Sequence, residues 1–144
     1  MTRRELIALA GTAPAFLRNG LAANDRINVG FIGVGGMGTS RLNGFLKHPD
    51  MNPVAVCDLD STRVDKAVER VKAARNSTPQ TFRDYRKLLE SKEIDAVCIA
   101  TPDHMHYPIA SEALRRGKHL YCQKPMCHDL AEVRQLTAAA AARP

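Results

Sequence analysis

The chain has 144 residues, 44% of them hydrophobic, with 21 Lys and Arg against 15 Asp and Glu for a formal net charge of +6. That suffices for one domain with a real core but not for a second substantial one. Nor does the charge mark a nucleic-acid binder. Ser61 to Lys92 holds nine basic residues against four acidic ones, interleaved with Val64, Val68, Val71, Leu88 and Leu89 as on amphipathic surface helices, and the chain offers no Trp, three Tyr and four Phe for stacking on bases.

The first segment, Thr2-Arg3-Arg4-Glu5-Leu6-Ile7, puts paired arginines ahead of a mildly apolar run to Leu17 and the small residues Ala22-Ala23. This order resembles a twin-arginine export signal, so residues 1–26 are expected to be a leader of a periplasmic protein; the alternative is a disordered or helical extension. The run is shorter than the roughly 20 apolar residues of a membrane span, and no other run is longer.

Ile27 to Ile32 reads as a buried strand, followed at once by Gly33-x-Gly35-x-x-Gly38 with Gly36 and Met37 between. In a dinucleotide-binding loop the first glycine permits the turn and the second a close approach to pyrophosphate. The third lets the next helix pack on the sheet with its amides aimed at phosphate. Alone the pattern is weak, since glycine runs also make ordinary turns. Its surroundings strengthen it. Thr39 to Lys47 has Leu42, Phe45 and Leu46 at helical spacing, and Pro53 to Cys57 is a second strand ending in Asp58. Asp58 lies 25 positions after Gly33, near the roughly 20 expected of a carboxylate that holds the adenosine ribose.

The alternation then continues. Thr62 to Ala74 predicts a helix, with Asp60, Ser61 or Thr62 as its cap; Thr81-Phe82 is a very short strand, and Asp84 caps a helix to about Ser91. Ile94 to Ala100 is a strand closing at Thr101-Pro102, Pro108 to Arg116 a helix stopped by Gly117, and His119 to Cys122 a strand leading into Gln123-Lys124-Pro125. A last helix runs from Asp129 or Leu130 through Ala142. Strands alternating with helices predict an α/β fold with a doubly wound parallel sheet, incomplete at its C-terminus. Ligands of such sheets bind beyond the carboxyl ends of the strands: here Gly33 to Gly38, Asp58, Thr101 to His106 and Gln123 to Pro125.

Cys57, Cys98, Cys122 and Cys127 form no CxxC pair, and two of them fall in apolar strand patterns where cysteine acts as a small hydrophobe. With His119 and His128 they match no compact zinc spacing, so no metal site is expected. Tyr107 and Tyr121 are expected to pack, and His104 and His106 either cap the next helix or join the site.

The GxGGMG loop, the strand ending Cys57-Asp58-Leu59-Asp60, the segment Thr101-Pro102-Asp103-His104-Met105-His106, and Gln123-Lys124-Pro125 occur in one order. From about Ile27 to the C-terminus this resembles the nucleotide domain of the glucose–fructose oxidoreductase, inositol dehydrogenase and rhizopine-catabolism (Gfo/Idh/MocA) family. The resemblance implies NAD(P)-dependent hydride transfer with sugars, cyclitols or related polyols. It places Gly33, Gly35, Gly36, Met37 and Gly38 at the pyrophosphate, Asp58 at the adenosine ribose, and Thr101, Pro102 and His106 on the nicotinamide side. Lys124 matches the lysine of a Glu-Lys-Pro motif and would assist the substrate hydroxyl. Gln123 stands where that motif has glutamate and supplies no negative charge to the lysine, while Pro125 completes the motif. Asp58 favours NAD over NADP, although Arg63 could reach a 2′-phosphate. The family's substrate domain is expected to follow such a domain, and the chain stops at Pro144 before a final strand. It therefore reads as part of a longer enzyme, with a homo-oligomer expected of the full-length protein, and with an NAD-dependent glycosidase or a stand-alone nucleotide-binding module as alternatives.

Overall fold

The computed structural model describes residues 26–142, so the paired arginines and most of the expected leader lie outside the described residues. The elements run β1 (Ile27–Ile32), α1 (Gly36–Phe45), β2 (Met51–Cys57), α2 (Ser61–Arg75), β3 (Gln80–Phe82), α3 (Tyr85–Glu90), β4 (Ala96–Ile99), α4 (His106–Arg115), β5 (His119–Cys122) and α5 (Leu130–Ala141), with a 3-10 turn at Asp103–Met105 leading into α4. The strands form one five-stranded sheet in the order β3-β2-β1-β4-β5, every neighbouring pair parallel. The order reverses direction between β1 and β4. That switch point opens the crevice where such sheets bind ligands.

Both faces of the sheet are covered, because successive side chains of a strand point to opposite sides. Val29 and Phe31 of β1, Val56 of β2 and Cys98 of β4 pack with Leu42 of α1 and Val64, Ala67 and Val71 of α2. Ile32, Ala55, Cys57, Val97 and Ile99 face the other way, onto Leu88 and Leu89 of α3, Ile109, Ala110 and Ala113 of α4, and Leu136 of α5. Full burial of one such aliphatic side chain stabilises by about 1.5–3 kcal/mol. This packing, rather than propensity, must hold α3 in place. At six residues it is far below the roughly 12–15 needed for an isolated helix.

The helix ends follow local chemistry. Asp60 caps α2 by accepting from the Thr62 amide at 2.9 Å, Asp84 caps α3 through the Arg86 amide, and Asp129 caps α5 through the Glu132 amide. Gly117 closes α4 at φ +83°, its amide donating to Leu114 O. Four boundaries differ from the periodicity, among them β4, which is Ala96–Ile99 rather than Ile94 to Ala100. α1 starts at Gly36 rather than Thr39, because the glycine loop itself forms the first helical turn. α4 starts at His106, two residues ahead of Pro108, which a first turn tolerates because its N–H needs no helical partner. β2 begins at Met51 and runs through Pro53, which lies where the β1–β2 register shifts and ahead of the point where β3 begins to pair.

Cys57, Cys98 and Cys127 are buried, and no cysteine is disulfide-bonded. Burial, with the charges of Asp58 and Asp84 adding to it, pushes the Cys57 thiol up to about 12. Burial also takes Cys98 to about 12 and Cys122 to about 11. These are packing thiols rather than nucleophiles.

Candidate functional site

A cavity of about 1100 Å³ opens at the carboxyl ends of the strands. Its wall brings together the glycine loop (Gly33, Gly35, Gly36, Met37), Asp58 to Asp60 after β2, Thr101 and Pro102 after β4, and Gln123 and Lys124 after β5. Four segments that are far apart in the chain meet there because the sheet is parallel and each strand delivers its end to one edge.

The glycine loop has the geometry that its residue types demand. Gly33 sits at φ +83°, and a Cβ there would lie 2.7 Å from the Ala100 carbonyl oxygen. A Cβ on Gly38 would lie 1.9 Å from Gly33 O, so α1 can approach the loop only without a side chain at that point. At Gly36, by contrast, a Cβ would meet nothing within 4 Å. α1 has no side-chain cap and no acidic residue in its first turn, so its first amides face the cavity without a protein anion.

Asp58 is tied into this loop. Its Oδ2 accepts from the Val34 amide at 2.9 Å, and its Oδ1 accepts from the Asp60 amide at 3.0 Å. Arg63 reaches over the loop from α2: its Nη1 is 3.1 Å from where a Gly35 Cβ would be, and its Nε lies 3.3 Å from Asp60. Arg63, the residue placed by its sequence position to reach a 2′-phosphate, lies over Gly35 and on the cavity wall. Arg83, in the bend after β3, and Arg86, on α3, also line that wall, and no motif had singled them out.

On the far side the wall has polar atoms without partners. Thr101 Oγ1 and Gln123 Oε1 are buried and make no hydrogen bond with the protein. Both residues line the cavity, and an unpaired buried polar atom beside a cavity calls for a partner that the protein does not supply. A dinucleotide with a hydrogen-bonding head group fits this set: uncapped helix amides and space over Gly36 at one end, orphaned polar atoms and the Lys124 amine at the other. His106 and Pro125 stand behind the wall rather than on it. The His106 ring contacts the Thr101 and Pro125 carbonyls, at 2.8 and 2.7 Å. His104 lines the cavity beside Met105 and lies next to Asp103, which also faces His128. Hydrogen bonding to the His104 backbone amide, and then the contact with His128, hold the Asp103 carboxyl below the usual carboxylate range. Tyr107 donates to Gln135 on α5 and Tyr121 packs edge-on against Phe45, so both serve packing. Among the described residues no group of three or more His, Cys, Asp and Glu is arranged to hold a metal ion. No described helix is long and apolar enough to cross a membrane.

Sheet order, glycine loop and cavity together define a dinucleotide-binding α/β domain of the Rossmann type. The chain belongs to the oxidoreductase family with an NAD-binding Rossmann fold, named for Gfo, Idh and MocA, whose model matches residues 27–144. It is 35% identical over 114 residues to a glycosyl hydrolase family 109 protein of Streptomyces filamentosus, covering 76% of this chain and 23% of that protein. The fold is similar to scyllo-inositol dehydrogenase from Lactobacillus casei, solved with NAD(H) and scyllo-inositol, at a TM-score of 0.72 and 23% identity, over 81% of this chain and 33% of that one. It is also similar to a 3-ketoreductase from Actinomadura kijaniata, solved with NADP and TDP-benzene, at a TM-score of 0.71 and 27% identity, over 81% and 34% of the two chains. The chain thus spans about a quarter of the length of that curated relative and about a third of these solved structures.

Proposed function

We propose that this chain is the cofactor-binding part of an enzyme that oxidises or reduces a CH–OH group of a sugar, cyclitol or related polyol, with NAD preferred to NADP. One observation supports this above the others: the glycine loop, Asp58, Thr101-Pro102 and Gln123-Lys124 share one cavity at the switch point of the sheet. Gly33, Gly35, Gly36 and Met37 present backbone to the pyrophosphate, Gly38 lets α1 pack close behind them, and Asp58 sets a carboxylate at the adenosine ribose, where it repels a 2′-phosphate. Thr101, Pro102 and Gln123 form the wall at the nicotinamide end. Bound NAD supplies the hydride acceptor or donor, while Lys124 orients the substrate hydroxyl and assists its proton transfer.

Fluorescence titration of the chain with NADH and NADPH tests the cofactor assignment. Saturable NADH binding, tighter than NADPH, is expected. Absence of saturable binding would overturn the reading, and equal affinities would overturn the NAD preference. A second reading is favoured by the relationship to a glycosyl hydrolase family 109 protein: an enzyme that cleaves a glycosidic bond using NAD without net turnover of it. Product analysis of the whole protein separates the two, since net NADH marks a dehydrogenase and released sugar without NADH marks a glycosidase. The paired arginines support export by the twin-arginine route. Periplasmic delivery of a fused reporter, abolished by Arg3→Lys with Arg4→Lys, is the expected result.

A further inference from the structure

Among the described residues two polar side chains are as buried as the core, Lys118 and His106. The Lys118 ammonium is occupied near the amino ends of β4 and β5, donating to Ser91 O at 2.6 Å and Ile94 O at 2.7 Å. His106 lies at the opposite edge, is 1% exposed, and is the first residue of α4. Its Nδ1 is 2.7 Å from the Pro125 carbonyl oxygen and its Nε2 is 2.8 Å from the Thr101 carbonyl oxygen. A carbonyl oxygen only accepts. A neutral imidazole has one N–H, so it closes one of these contacts and turns a lone pair on the other oxygen; only the doubly protonated ring donates to both.

The two carbonyls belong to the two segments that form the far wall of the cavity. Thr101 begins the segment after β4, and Pro125 directly follows Gln123 and Lys124. We propose that His106 is a positioning residue, a strut that sets the gap between these two segments and so the place of Gln123 and Lys124, and that the strut is closed at both ends only when the ring is doubly protonated. This rests on the reading of the cavity as the NAD site. His106 itself does not line the cavity, so it acts through the backbone.

No carboxylate is hydrogen-bonded to the ring. On the elements around it, Asp103 faces His104 and His128, Asp84 lies beside Arg86, and Glu90 pairs with Lys87. Glu112 holds Arg115 and Arg116, and Glu132 accepts from the His128 amide. The remaining titratable groups on these elements are Tyr85, Cys98, Tyr107, His119, Tyr121, Cys122, Lys124, Cys127, Asp129 and Arg134.

The test is NADH titration of the full 144-residue chain across about pH 5 to 8. Affinity is expected to fall about tenfold or more as pH rises, the effect of losing one charge-assisted hydrogen bond. His106→Gln should stay at the weak level throughout, and His104→Gln, which removes the imidazole on the cavity wall, should keep the parent's pH dependence. A flat parent profile, or loss of the dependence in His104→Gln, overturns the strut; these two measurements decide it even if His106→Gln fails to fold. If the parent binds no NADH at any pH, the cofactor reading fails instead, and the strut is judged by hydrogen exchange. Protection of the Gln123 amide, which donates to Ile99 O at 2.9 Å, should then drop with rising pH. Protection that stays constant overturns it.

Discussion

The Asp58 carboxylate accepts the Val34 amide proton at 2.9 Å, joining the end of β2 to the middle of the glycine loop. The residue read from the sequence as a ribose-binding group is therefore also a fastener of the loop that would hold the pyrophosphate. One carboxylate ties the segment after β2 to the glycine loop. Its remaining lone pairs stay available, because each oxygen accepts a single bond from the protein.

Asp58→Ala should separate these roles from Asp58→Asn. The alanine leaves the Val34 and Asp60 amides without their acceptor and should cost about 1–2 kcal/mol in urea unfolding. The asparagine keeps an acceptor oxygen and should lose less than half of that. Both remove the negative charge, so both should narrow the gap between NADH and NADPH affinity. Unchanged stability of the alanine variant would show that the loop does not depend on this tie.

The loop glycines divide into those the fold needs and one, Gly36, that the fold leaves free. Gly33→Ala places a side chain at φ +83° against Ala100 O, at a cost of about 1–3 kcal/mol for the backbone conformation alone, and Gly38→Ala forces α1 off the loop. Both should lower the thermal midpoint. Gly36→Ala meets no protein atom and gains helix propensity, so it should be neutral or stabilising by up to about 1 kcal/mol. It should nevertheless weaken NADH binding, since its methyl projects where the pyrophosphate would lie. Equal NADH affinity in Gly36→Ala and the parent would move the ligand away from this loop.

What was legible in the sequence was whatever depends on local pattern. Strand runs ending in Gly33, Asp58, Thr101 and Gln123 announced the sheet and its binding edge, because period-2 and apolar-run signals and the turn residues lie next to one another in the chain. Helix starts were less legible. α1 begins inside the glycine loop, where propensity argues against a helix and the approach of Gly38 to Gly33 O allows one. Relations between distant segments could not be read at all. Nothing in the spacing of residues 101, 106 and 125 indicates one imidazole between two carbonyls, and Arg63 over Gly35 depends on how α2 crosses α1.

The buried thiols give a stability change with a defined sign. Cys57 and Cys98 are pushed to about 12 and Cys122 to about 11 by burial. In the unfolded chain these thiols lose their protons near 9, so above that pH the unfolded state binds fewer protons than the folded one. Stability is therefore full below about pH 9 and falls as pH rises toward 11–12, by up to about 1.4 kcal/mol per pH unit for each thiol. Cys98→Ala should be less stable at neutral pH, having left a cavity, yet show a shallower decline between about pH 9 and 11. Parallel declines in parent and variant would mean that the Cys98 thiol does not resist ionisation in the folded chain.

Gln123 offers the clearest way to tell ligand recognition from folding. Its Oε1 is buried without a protein partner, on the wall that also holds Lys124. An unsatisfied buried acceptor costs about 1–3 kcal/mol in the free protein, so Gln123→Leu, which removes it at similar size, should unfold no more easily than the parent and is expected to be somewhat more stable. The same change deprives a bound ligand of one hydrogen bond and should weaken NADH about threefold to tenfold. Stability and binding are thus predicted to move in opposite directions. A variant that lost both together would make Gln123 a folding residue, and one that lost neither would place the nicotinamide end elsewhere in the cavity.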